Sequence, residues 1–102
     1  MDKSEIIEIV RRYAVVVDQH LKPQKVILYG SYAKDNWRED SDIDVAIVVD
    51  RVRGDFLENA ALLYKLRRNI DDRIEPILIE ADNDKSGLFA EIQKHGQIIS
   101  TI

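Results

Sequence analysis

The chain has 102 residues, of which 45% are hydrophobic and 33% are charged, and its formal net charge is −4. We predict one domain over residues 1–102, with enough apolar residues for a single hydrophobic core. The acidic balance disfavours non-specific binding to nucleic acid, which needs a basic surface, and no apolar run reaches the ~20 residues of a membrane span. There is no cysteine and no recognisable signal peptide, so thiolate metal sites are excluded and we expect a cytoplasmic protein.

Hydrophobic periodicity predicts three helices and three or four strands. In chain order these are a helix over residues 2–19, strands over 25–29 and 42–49, a helix over 55–69, a strand over 74–80, a helix over 88–95 and a short strand over 97–102. Asp2 and Asp55 are predicted helix caps, because each has a glutamate three residues later. Pro76 places its strand at a sheet edge or leaves that position unpaired. The order α-β-β-α-β-α indicates an α/β or α+β fold with a crossover helix.

Two short motifs carry the candidate chemistry. The first strand runs into Gly30-Ser31, and after ten intervening residues the second strand opens with Asp42 and Asp44. Side chains two residues apart on a strand share a face, so these carboxylates should lie together, with Cα atoms about 6.6 Å apart. That spacing suits a pair of divalent cations roughly 3.5–4 Å apart. A glycine lets the main chain approach a phosphate, and the Ser31 hydroxyl can donate to it.

Each of these motifs also has a purely structural interpretation. A Gly30-Ser31 pair is typical of an ordinary turn between a strand and a helix, and the two aspartates are equally typical of a solvated strand end. Glu75, on the strand after the crossover, would be the third carboxylate if that strand pairs beside the second one. Its alternative is a surface glutamate on an edge strand.

Taken together, these residues resemble the nucleotidyltransferase superfamily related to polymerase beta. More narrowly, the chain is similar to the minimal nucleotidyltransferases, the antitoxin-like partners of HEPN-domain proteins. The resemblance covers nearly the whole chain and rests on Gly30-Ser31-Tyr32-Ala33-Lys34, on Ser41-Asp42-Ile43-Asp44-Val45 and on Arg73-Ile74-Glu75-Pro76-Ile77. It implies the polymerase beta-like nucleotidyltransferase fold, a small mixed sheet with helices packed on it.

The resemblance assigns three carboxylates to catalysis and metal binding. Asp42 and Asp44 would bind two Mg²⁺ ions, one of which carries the triphosphate of ATP. Glu75 would complete the second metal site and help to deprotonate the attacking hydroxyl. The family more commonly has aspartate at the third position, so the side chain of Glu75 is one methylene longer.

The resemblance also assigns the phosphate contacts. Amides at Gly30 and the Ser31 hydroxyl would hold the β- and γ-phosphates, and Lys34 or Arg38 would steady their charge. Where the family usually has a second glycine, this chain has Asp35. Aspartate tolerates a left-handed backbone, but its charge has to face away from the phosphates.

The implied reaction transfers AMP from ATP to a hydroxyl group, and the implied acceptor is a tyrosine of a HEPN-family toxin. The chain would then be an antitoxin that acts by modification. Two alternatives stay open. One is a binding module that neutralises such a partner by occlusion, with weak or lost catalysis. The other is a nucleotidyltransferase that modifies a small molecule. A homo-oligomer is compatible with all of these functions.

Overall fold

The computed structural model describes residues 2–83 and 86–101, without the side chain of Thr101. The elements are α1 (Lys3–His20), β1 (Lys25–Tyr29), β2 (Ile43–Val49), α2 (Phe56–Leu66), β3 (Ile74–Glu80), α3 (Leu88–His95) and β4 (Gln97–Thr101), with 3₁₀ turns at Arg67–Asn69 and Ala81–Asn83. Their types and order agree with the prediction, and β4 follows the predicted α-β-β-α-β-α core. Residues 84 and 85 of the predicted loop and residue 102 of the last predicted strand lie outside the described residues.

The four strands form one mixed sheet in the order β3-β2-β1-β4. β1 pairs antiparallel with both β2 and β4, whereas β2 pairs parallel with β3. Parallel neighbours require a crossover, and α2 supplies it as predicted. β3 is an edge strand, which explains how Pro76 is tolerated within it.

The two faces of the sheet are covered differently. α1 and α2 pack on the face that carries Val26, Leu28 and alternate residues of β2 such as Val45. The opposite face carries Ile27, Ala46 and Ile79, which pack with Ile92 of α3. Because side chains alternate along a strand, Asp44 of β2 and Glu75 of β3 belong to this second face. Among the described residues, no helix combines the length and apolar character needed to cross a membrane.

The helix ends follow local hydrogen bonding. The Asp2 carboxylate accepts from the Glu5 N–H at 3.0 Å, and the Asp55 carboxylate accepts from the Leu57 N–H at 3.2 Å, so both predicted caps are confirmed. α2 ends earlier than the predicted residue 69. The Arg67 carbonyl accepts from the N–H groups of both Ile70 and Asp71, at 2.9 Å each, which tightens the last turn into a 3₁₀ conformation.

A buried hydroxyl joins α1 to the crossover helix. Tyr13 has no exposed surface, and its hydroxyl donates to the Leu63 carbonyl at 2.7 Å. Burial raises the pKa of Tyr13, so the phenol stays protonated as a donor. We expect Tyr13→Phe to lower the free energy of unfolding by about 1 kcal/mol, as measured by chemical denaturation. The control is Tyr64→Phe, which removes a hydroxyl from an exposed side chain, and equal losses in the two variants would contradict the prediction.

Candidate active site

The turn after β1 lies directly against the carboxylate of Asp44. Tyr29, the last residue of β1, is the register partner of Asp44, and Gly30 follows it with a φ of 73°. A Cβ added at Gly30 would overlap a carboxylate oxygen of Asp44 and would stand 3.0 Å from its Cγ. The backbone conformation therefore favours glycine at this position, and any side chain there would force the Asp44 carboxylate to shift.

The predicted carboxylates meet at the same end of the sheet. Asp44 and Glu75 are register partners on the parallel strands β2 and β3, so they lie side by side on one face. Asp42 lies just before β2 and is exposed, although the prediction placed it within the strand. Burial, followed by the negative charges of Asp42 and Glu75, raises the pKa of Asp44. In residues 2–83 and 86–101, no basic side chain forms an ion pair with Asp42 or Asp44.

Two residues of the crossover segment orient Glu75. The Tyr64 hydroxyl donates to Oε2 of Glu75 at 3.2 Å, and Nη1 of Arg67 lies 3.7 Å from Oε1. The Arg67 guanidinium also lies over the Tyr64 ring, 4.9 Å from its centroid. Glu75 therefore shares the sheet end with the aspartates, while its carboxylate contacts α2 and the turn that follows it.

Sequence reasoning missed Tyr64, Arg67 and Tyr29. Tyr64 resembles one more member of the apolar stripe of α2, and Arg67 resembles a solvated helix residue. Tyr29 looks like the last residue of a buried strand, yet burial and then the charge of Asp44 raise its pKa to about 12. A usable signal was the short connection from α2 to β3, which brings the end of the helix close to Glu75.

The turn offers unpaired main-chain donors. The Lys34 N–H donates to the Gly30 carbonyl at 3.1 Å, which folds the segment into a helix-like turn. Within the described part of the chain, three successive N–H groups in this turn donate no hydrogen bond; they belong to Ser31, Tyr32 and Ala33. Such a row of free amides favours an anion such as a phosphate.

The charge of Asp35 is paired with a basic side chain of α1. Asp35 adopts the left-handed conformation, with a φ of 60°, at the position where the family usually has glycine. Its carboxylate pairs with Nζ of Lys3 on α1 at 3.0 Å. Lys3 therefore offsets part of the negative charge that Asp35 brings next to the Gly30 turn.

The remaining predicted phosphate contacts lie on the loop between β1 and β2. Lys34 and Arg38 are exposed, and neither forms an ion pair with a described residue. The loop is anchored beside them, because the ring of Trp37 stacks on the buried Tyr32 with centroids 5.2 Å apart. Both basic side chains therefore project from a fixed segment next to the Gly30 turn.

The carboxylates fit a divalent cation that is shared with a nucleotide. Asp42 and Asp44 lack basic partners in the described part of the chain, and their repulsion would be relieved by a cation. No group of three His, Cys, Asp or Glu side chains among the described residues could hold an ion. Mg²⁺ is commonly bound by one or two carboxylates together with substrate phosphates and water, and this donor set matches that arrangement.

Sequence relatives identify the family. The family profile described as polymerase beta, nucleotidyltransferase matches residues 5–101. A candidate protein adenylyltransferase of Methanocaldococcus jannaschii is 32% identical over 98 residues, covering 90% of this chain and 96% of the relative. Another from the same organism is 39% identical over 44 residues, covering 43% of this chain and 45% of the relative.

Solved structures share the architecture. A candidate nucleotidyltransferase from Sulfolobus solfataricus has a TM-score of 0.70 at 15% identity, covering 97% of this chain and 83% of that one. A toxin–antitoxin structure with AMP-PNP has a TM-score of 0.62 at 18% identity, covering 90% of this chain and 73% of that one. The chain belongs to the polymerase beta nucleotidyltransferase family, which confirms the family and the mixed α/β fold class that its motifs predict.

Proposed function

We propose that this nucleotidyltransferase moves AMP from ATP to a hydroxyl group of a partner protein, and that the partner is a HEPN-family toxin modified on tyrosine. The observation that carries the proposal is the contact between the Gly30 turn and the Asp44 carboxylate, with Asp42 and Glu75 beside it. The relative named as a candidate protein adenylyltransferase supports AMP transfer to protein. The likeness to a toxin–antitoxin structure with AMP-PNP supports an antitoxin role.

Each residue has a defined part in the proposed reaction. The free amides of the turn and the Ser31 hydroxyl bind the phosphates. Lys34 and Arg38, on the loop that follows the turn, add positive charge. Asp42 and Asp44 would hold Mg²⁺, and Glu75 lies beside them with its carboxylate in contact with Tyr64 and Arg67. When bound, these ions neutralise phosphate charge and activate the acceptor oxygen.

Glu75 is the proposed general base. It accepts the proton of the acceptor hydroxyl as that oxygen attacks the α-phosphorus in line and pyrophosphate leaves. The contact with the Tyr64 hydroxyl indicates that a phenol can reach this carboxylate. Asp42, Lys34 and Arg38 are all exposed, so the site is open enough for the side chain of a protein acceptor.

The direct test uses the purified chain with a HEPN-family toxin, Mg²⁺ and ATP. We expect the toxin to gain the mass of AMP on a tyrosine and to lose its toxicity. Chelation of the metal by EDTA should prevent both changes. A toxin that keeps its mass while the chain binds nucleotide would contradict transfer to this partner.

One observation favours the alternative of neutralisation by occlusion. The carboxylate of Glu75 already contacts Tyr64 and Arg67, so two acids rather than three lack partners in the described structure. Co-expression with the toxin separates the two functions. A variant carrying Asp42→Ala and Asp44→Ala should fail to protect cells if modification is the mechanism, and full protection would establish occlusion.

A further inference from the structure

The chain carries an exposed tyrosine whose hydroxyl contacts the proposed general base. Tyr64 donates to Oε2 of Glu75 at 3.2 Å, and its side chain is 42% exposed. The other tyrosines differ: Tyr13 and Tyr32 are buried, and Tyr29 is half-buried within the sheet. Tyr64 alone among the four combines access with a hydrogen bond to the proposed base.

We propose that the chain adenylylates itself on Tyr64. This inference rests on the proposed function, because it uses the same ATP site and the same base. The Tyr64 oxygen attacks the α-phosphorus of ATP, and a phosphodiester bond forms between them. The bond from the α-phosphorus to the bridging oxygen breaks, pyrophosphate leaves with that electron pair, and the phenolic proton passes to Glu75.

The surroundings of Tyr64 hold the phenol ready for this step. Arg67 covers its ring at 4.9 Å and is itself fixed, because Nη1 donates to the carbonyls of Asp72 at 2.9 Å and Ile74 at 2.8 Å. Glu75 is in turn the register partner of Asp44, whose carboxylate lies against Gly30. An acceptor held in place within one chain reacts without the entropic cost of a bimolecular encounter.

The experiment follows the mass of the purified full-length chain incubated with Mg²⁺ and ATP. We expect a gain of one AMP per chain, mapped to Tyr64 by peptide analysis, and no gain in Tyr64→Phe. An intramolecular reaction has a rate that does not change with protein concentration. In a mixture of Tyr64→Phe with Asp44→Asn, the second chain should therefore stay unmodified although it retains Tyr64.

A binding measurement separates this inference from the proposed function. Calorimetry of the wild type with α,β-methylene-ATP and Mg²⁺ should show that nucleotide binds at the site. If nucleotide binds and the toxin is modified while Tyr64 keeps its mass, self-modification is overturned and the proposed function stands. Modification mapped to any other residue overturns the assignment of Tyr64. Failure to bind nucleotide overturns both.

Discussion

Replacing Asp44 by asparagine is expected to lower AMP transfer by at least about 10²-fold, because the uncharged amide cannot supply the electrostatic stabilisation that a carboxylate gives through bound cations. The substitution keeps the shape of the side chain, which lies against Gly30. Transfer of label from α-labelled ATP to a HEPN-family toxin, the proposed acceptor, measures the loss. The matched control is Asp40→Asn, which makes the same charge change at an exposed residue of the neighbouring loop.

The same substitution should stabilise the metal-free protein at neutral pH. Burial and the negative neighbours raise the pKa of Asp44 in the folded state. The folded chain then binds more protons than the unfolded chain between the two pKa values, so stability falls as the pH rises through the folded pKa. Asparagine removes this loss of stability. The loss is absent below the pKa that Asp44 has in the unfolded chain, and it is complete above the pKa that Asp44 has in the folded chain.

Thermal unfolding at several pH values, with and without Mg²⁺ and nucleotide, measures this effect. Without them, the melting temperature of Asp44→Asn should exceed that of the wild type at pH 7 and match it near pH 3, below the ordinary pKa of aspartate at about 3.9. With Mg²⁺ and nucleotide present, the wild type should have the higher melting temperature at pH 7. A ligand at ~100 times its Kd adds about 2.7 kcal/mol to the stability of a protein that binds it. If Asp44→Asn keeps the rate of AMP transfer within a few-fold of the wild type, Asp44 is not part of the catalytic machinery.

The elements that were predicted well are those with local boundaries. β1 is bounded by Pro23 and Gly30, and α3 stops at Gly96, so both have the predicted ends. The predicted end of α2 lies too far along the chain, because the 3₁₀ turn at Arg67 depends on the path of the chain into β3. The strand order was beyond a sequence pattern, since pairing depends on long-range packing.

The site shows the same division between local and long-range information. Its motifs predict Gly30, Asp42, Asp44 and Glu75 as site residues, and the structure brings them to one end of the sheet. The contacts that adjust the site join distant parts of the chain. The pairing of Asp35 with Lys3 spans 32 residues, and the approach of Tyr64 and Arg67 to Glu75 arises from helix–strand packing. Periodicity carries no information on such contacts.

Substitution of Gly30 by alanine should lower both activity and stability, because it introduces backbone strain and a steric overlap. The left-handed backbone at this position costs a residue with a side chain about 1–2 kcal/mol. The new Cβ would also overlap the Asp44 carboxylate, which then has to turn away or displace the turn. A displacement of about 1 Å in a catalytic group can cost ~10²-fold in rate, and we expect a loss of that order in AMP transfer.

The chain offers a matched control for the backbone strain. Gly54 also has a positive φ, of 85°, but a Cβ there would meet only Nδ2 of Asn59, at 4.0 Å. Gly54→Ala should therefore lose stability through strain alone and keep its transfer rate. Equal transfer by the two alanine variants would show that close contact with Asp44 is not needed for catalysis.

A double-mutant cycle then isolates the overlap itself. Asp44→Ala removes both carboxylate oxygens and the Cγ at 3.0 Å, and leaves only the Asp44 Cβ, 3.3 Å from the new methyl group. The stability cost of Gly30→Ala should accordingly be smaller in the Asp44→Ala background than in the wild type. Interaction energies of about 0.5–3 kcal/mol are typical of residues in contact, whereas independent sites add within ~0.5 kcal/mol. Strict additivity in chemical denaturation would mean that the Asp44 carboxylate turns aside without cost, and the overlap would then contribute nothing to the loss of stability in Gly30→Ala.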